Sequence, residues 1–78
     1  MLDVSVAFGR VLRRIRIERG LSQEALAADA GLQRKYISLL EQGVYQTKFV
    51  TVFRLAEALG CKPSDFVEQV ERERHRGR

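Results

Sequence analysis

Apolar side chains recur along this chain at intervals of three and four, the repeat that lines one face of an α-helix. Phe8, Val11, Leu12 and Ile15 form the first stripe, and Arg10, Arg13, Arg14 and Arg16 fill much of the remaining circumference. A helix is therefore expected after the short lead Met1 to Val4, capped by Asp3 or Ser5, running to about Arg19 and closed by Gly20. Gly9 weakens it by roughly 1 kcal/mol against alanine, unless close packing needs the missing side chain. The next stripe, Ala25, Leu26, Ala27 and Ala30, predicts a helix from about Gln23 to Asp29, with Ser22 as its cap and Glu24 near the positive end of its dipole. A third, Tyr36, Ile37, Leu39 and Leu40, predicts one from about Gln33 to Gln42, which Gly43 is placed to end. Gly31 stands between these two helices, where a tight turn needs a residue tolerant of positive φ.

A fourth helix is expected from about Lys48 to Leu59, capped by Thr47, with Phe49, Val52, Phe53, Ala56 and Leu59 inward and Val50 on the other side. Pro63 suits the first turn of a fifth, whose Phe66 completes the core. Val67 and Val70 extend its apolar stripe further than a small core needs. The charged segment ERERHRGR, from Glu71 onward, is expected to fray. Together these elements predict an all-α fold, one compact five-helix domain over residues 1–78 with a core of about 5–70.

Composition narrows the chemistry. At 78 residues the core is small, so association often supplements it. Fourteen Lys and Arg against ten Asp and Glu give a net charge of +4, a balance suited to an anionic partner such as DNA. Cys61 is the single cysteine and His75 the single histidine, too few ligands for a zinc site and no basis for an internal disulfide. His75 lies in a polar segment with no Cys or Ser partner in a recognisable motif, so an enzymatic reading has no support. No apolar run approaches the roughly 20 residues of a membrane span, and no signal sequence precedes the fold. The expectation is a cytoplasmic, reduced protein without cofactor, metal, membrane partner or evident small-molecule ligand.

Three blocks carry a resemblance: GLSQEALA at Gly20 to Ala27, YISLLEQG at Tyr36 to Gly43, and LAEALG at Leu55 to Gly60. Their spacing, with Ala27 under the turn, Gly31 in it and Ile37 four residues before Glu41, resembles the Cro/CI (Xre-like) helix-turn-helix regulators over about Phe8 to Val67. The resemblance implies a lambda-repressor-like fold with its helix-turn-helix at helices two and three, and binding of double-stranded DNA. The third helix would then enter the major groove with Gln33, Arg34, Lys35 and Ser38 toward the bases. Arg34 is best suited to base reading, because a guanidinium offers two donors in a fork that matches guanine O6 and N7. Gln33 can pair with adenine in the same fashion, although many relatives place a Ser, Thr or Asp cap there. Lys35 and Ser38 can serve bases or phosphates.

Phosphate contacts are expected from Gln23 beside Ser22, where the resemblance implies a side-chain bond and helix amides aimed at the same backbone. Arg14 and Arg16 on the first helix are further candidates, as are Tyr45, Gln46, Thr47 and Lys48 in the loop after the third. Tyr36 can place its hydroxyl on a phosphate or its ring on a thymine methyl, or it can pack beside the turn.

One reading head covers few base pairs, so a short regulator gains specificity by two-fold pairing on a palindromic operator, with half-sites about 10 base pairs apart or multiples of that. Val50, Cys61, Val67 and Val70 are the candidate dimer surface; the alternative is that Val67 and Val70 cover the first helix of their own chain. In size and layout the chain resembles phage repressors and restriction–modification controller proteins, whose activity follows their own concentration. The competing reading is an antitoxin-like or other protein-interaction module of the same fold. Neighbouring genes separate the two: methyltransferase and endonuclease genes for a controller, a toxin gene for the other.

Overall fold

The computed structural model describes residues 1–76, and its elements in chain order are α1 (Val4–Glu18), α2 (Gln23–Ala30), α3 (Arg34–Glu41), α4 (Phe49–Ala58) and α5 (Pro63–Arg76). Among the described residues there is no strand. Asp3 rather than Ser5 caps α1, its carboxylate accepting from the Ser5 amide at 3.0 Å. The Ser22 hydroxyl caps α2 by accepting from the Ala25 amide at 3.0 Å. Gly31 takes φ of +70°, which lets α2 turn sharply into α3 without the clash a Cβ brings. Gln33 occupies the cap position of α3, but its side chain makes no capping bond.

The core is built where the five apolar stripes converge: Leu12 and Val11 from α1, Leu26 from α2, Ile37 and Leu40 from α3, Leu55 from α4 and Phe66 from α5 are all fully buried. Phe8 meets Phe66 edge to face, with ring centroids 5.4 Å apart. Helix α1 is the central strut, packed against both α5 and α3. Its crossing with α3 explains Gly9: a Cβ there would lie 2.4 Å from the Leu40 carbonyl oxygen and 2.7 Å from that of Glu41. The glycine is needed for close packing, which brings the C-terminal end of α3 against α1.

Three expectations are corrected. In α4, Phe49 and Phe53 do not face inward; they are 76% and 41% exposed, and Thr51 and Leu55 hold the inward places with Ala56 and Leu59. Apolar residues occupy so much of this helix that its own pattern leaves the rotational phase open, and packing against α2 and α5 selects the Leu55 side. Thr47 does not cap α4. Lys48 stands at that position, and the Thr47 hydroxyl instead receives the Tyr36 hydroxyl at 3.2 Å.

The segment expected to fray from Glu71 is helical through Arg76, and the final two residues of that segment, Gly77 and Arg78, lie outside the described residues. Two contacts hold it. Glu73 is buried against arginines of α1, and the Leu2 amide donates to the Arg74 carbonyl at 2.9 Å, tying the beginning of the chain to α5.

Candidate nucleic-acid interface

Ile37 and Leu40 anchor α3 by full burial, which turns its opposite side outward. On that outer side, Arg34 and Lys35 are exposed and Ser38 is half-buried; Gln33 is exposed just ahead of the helix. Lys35 and Lys48 enter no ion pair among the described residues. Gln42, which the sequence reading passed over, donates from its amide to the Ser38 hydroxyl at 3.0 Å and so shares this surface. Its signal was the four-residue spacing from Ser38, one helical turn.

The N-terminus of α2 stands beside this face. Gln23 accepts at Oε1 from the Arg34 guanidinium at 3.3 Å and donates through Nε2 to Glu41 Oε1 at 3.1 Å. Glu41 also receives Arg16, whose Nε lies 2.6 Å from Oε2 and whose Nη2 lies 3.1 Å from Oε1. A third Arg16 bond, from Nη1 to the Leu21 carbonyl at 2.8 Å, fastens the loop ahead of α2. Sequence reading missed Glu41 as part of the site, because pairing between helices depends on how they cross and leaves no periodic signal.

These contacts correct two phosphate assignments. The Arg16 side chain is only 11% exposed, and its fork is fully engaged on Glu41 and Leu21, so it is a structural clasp rather than a free cation. Arg14 turns toward α5, donating to Glu73 Oε1 at 3.0 Å and to Gln69 Oε1 at 3.3 Å. Arg16 is thus held within the molecule, whereas Arg14, its side chain 36% exposed, has its charge paired with Glu73 where α1 meets α5. Tyr45, Gln46 and Lys48 remain exposed in the loop after α3, and Thr47 is half-buried. Tyr36 is half-buried against the core, tilted against the Tyr45 ring at 6.2 Å between centroids, with its hydroxyl on Thr47. Its position combines packing beside the turn with support of the loop.

Of the four candidate dimer residues, Val50 and Val67 are exposed, at 62% and 49%. Cys61 is half-buried on the core edge, its sulfur 3.8 Å from Arg19 Nη2. Val70 is corrected: at 8% exposure it belongs to the core, as the alternative reading of that valine held. Phe49 and Phe53, expected inside, join Val50 on the outward side of α4, their rings edge to face at 5.2 Å. Among the described residues no group of His, Cys, Asp and Glu side chains could hold a metal ion, and no helix is long and apolar enough to cross a membrane.

A turn that presents one anchored, outward-facing helix beside the capped start of another is the arrangement of a helix-turn-helix, and residues 12–66 match the model of that family. The chain belongs to the helix-turn-helix family. Among its relatives is the control protein C.MunI of a Mycoplasma species, 34% identical over 74 residues that cover 94% of this chain and all of that protein. The crystal structure of the restriction–modification controller protein C.AhdI from Aeromonas hydrophila is 40% identical and superposes with a TM-score of 0.77, covering 80% of this chain and 94% of that one. The controller protein C.Esp1396I, solved as a tetramer in complex with its natural 35 base-pair operator, is 26% identical with a TM-score of 0.84, covering 94% of this chain and 96% of that one.

Proposed function

We propose that this protein is a sequence-specific transcriptional regulator that binds a short palindromic operator as a dimer, with α3 in the major groove, and that it acts as a restriction–modification controller. The observation that carries the reading is the outer face of α3, where Arg34 and Lys35 stand exposed on a helix fixed from behind by Ile37 and Leu40. A helix anchored from behind with exposed cations at its N-terminal end suits base-edge recognition. Its family membership and the control proteins among its relatives support the regulatory role.

Within this reading Arg34 contacts guanine, while Gln33, Lys35 and Ser38 contact neighbouring base edges. Gln23, with Ser22 and the first amides of α2, meets the phosphate backbone, and Tyr45, Gln46, Thr47 and Lys48 meet it on the other side of α3. The second protomer docks on the apolar surface of Phe49, Val50, Phe53 and Val67, the exposed parts of α4 and α5. The operator complex of C.Esp1396I supports assembly of several copies on one duplex.

Selection of bound sites from random duplex DNA tests the proposal. Enrichment of a two-fold motif with half-sites about 10 base pairs apart, or multiples of that, is the expected result. Recovery of unrelated sequences would remove the operator reading.

A further inference from the structure

We infer that Glu41, which sits behind the reading face, is a positioning residue for base recognition, acting through the Gln23 amide on the Arg34 guanidinium. The inference rests on the proposed base-reading role of Arg34. Its basis is the order of donors and acceptors along three side chains. Ionised Glu41 can only accept, so the Gln23 group facing it at 3.1 Å must be the NH2 of the amide. The amide oxygen is thereby turned toward Arg34 and accepts from Nη1 at 3.3 Å. A guanidinium is the matching partner for that oxygen, because it can only donate.

Glu41 is itself immobile: its side chain is 4% exposed and clasped by the Arg16 fork. A buried ion pair in α1 and α3 therefore sets which end of Gln23 faces the DNA side and holds a long, rotamer-rich arginine that solvent would otherwise leave free. One of the five guanidinium N–H groups is used in this bond, and four remain for bases. Preorganising Arg34 in this way favours a guanine at one operator position over bases that would leave its donors unmatched.

Two variants separate this from a backbone-only role for Gln23. Gln23→Met keeps the length and apolar stem of a half-exposed side chain but removes both bonds; Glu41→Gln keeps shape but removes the charge that orients the amide. Each is compared with Arg34→Ala on duplexes randomised at every operator position, with helicity recorded by circular dichroism. Arg34→Ala should lower preference at one position of each half-site by at least about fivefold. Gln23→Met should relax the same position, and the double variant should relax it no further than Arg34→Ala alone. Glu41→Gln, where it folds, should repeat the effect of Gln23→Met.

A Gln23→Met protein that weakens on all sequences equally, with the base profile intact and effects adding in the double variant, overturns the inference while leaving Arg34 as the reader. An unchanged profile in Arg34→Ala overturns both. Should Glu41→Gln not fold, the Gln23→Met comparison decides.

Discussion

A single missing methyl governs how closely the reading helix can approach its support. Substituting Gly9 by alanine adds helix propensity worth roughly 1 kcal/mol, yet places a Cβ against two backbone carbonyls of α3 that have no rotamer to adopt. Overpacking of this kind costs typically about 1–3 kcal/mol, and here the obstacle is rigid backbone, so the steric term wins. Gly9→Ala is expected to lower the urea midpoint, with lost operator affinity in the folded protein because the end of α3 carrying Glu41 must shift. A gain in stability would show that the crossing is looser than described. At Arg34 the chemistry is different, since the side chain is exposed and contributes nothing to the core. Its replacement by alanine is expected to cost roughly 1–3 kcal/mol on the preferred site while leaving the melting curve in place. Lysine should restore charge but not the planar fork, so affinity would recover more than base preference. Competition binding on operator variants measures both.

Helix α5 is held to α1 by charge as well as by Phe66 and Val70. The Glu73 carboxylate receives Arg14 at 3.0 Å and Arg76 at 3.1 Å, with Arg10 at 3.6 Å. The hydrogen bond from Arg14, followed by that from Arg76, holds its pKa below the ordinary value of 4.5, against the opposing effect of burial. A carboxyl whose folded pKa is depressed stabilises the fold above its unfolded pKa, and that contribution is lost as pH falls through the folded value. The wild type should thus lose stability on acidification below about pH 4.5, and Glu73→Gln should flatten that part of the curve and melt lower at pH 7. Equal acid sensitivity in the two proteins would assign the effect to other carboxylates. This clamp was hidden in the sequence, where alternating Glu and Arg look like a solvated end; Arg76 lies one turn along the same helix, but only the approach of α1 adds Arg14 and Arg10 to Glu73. By contrast, the stripes of α1, α2 and α3, the Ser22 cap and the Gly31 turn were legible, because each is fixed by local periodicity or by one residue's backbone chemistry. The rotation of α4 and the pairing of Arg14 and Arg16 were not, since both are decided by neighbours far apart in the chain. For the same reason the outward cations of α3 were identifiable from sequence, while Glu41 behind them was not.

On the scale of the whole molecule, the proposed DNA binding and the proposed pairing call on opposite kinds of surface. The cationic face should give affinity that falls steeply with salt, at a log–log slope near −0.9 for each phosphate neutralised. Lys48→Ala is expected to make that slope shallower by about one unit without changing base preference; an altered preference would move Lys48 to the bases. The apolar face of Phe49, Val50, Phe53 and Val67 needs a different explanation, for four large hydrophobic side chains left in water on adjoining helices are a liability in an isolated small domain. A second copy related by a two-fold axis would cover this patch with the same patch, and would also supply the second reading head that one short α3 lacks. Phe53→Asp tests the idea without cutting into the core, since the ring is outward and touches Phe49. It places an unpaired charge where the partner would bury it, a change costly to association and mild for the separate fold. Sedimentation at micromolar concentration should find wild type as a dimer and Phe53→Asp as a helical monomer with little operator affinity. Val70→Asp provides the contrast, because its charge would enter the core and should unfold the chain instead. A Phe53→Asp protein that remains dimeric would place the two-fold contact on another face, and a wild type that sediments as a monomer would leave pairing to the operator itself.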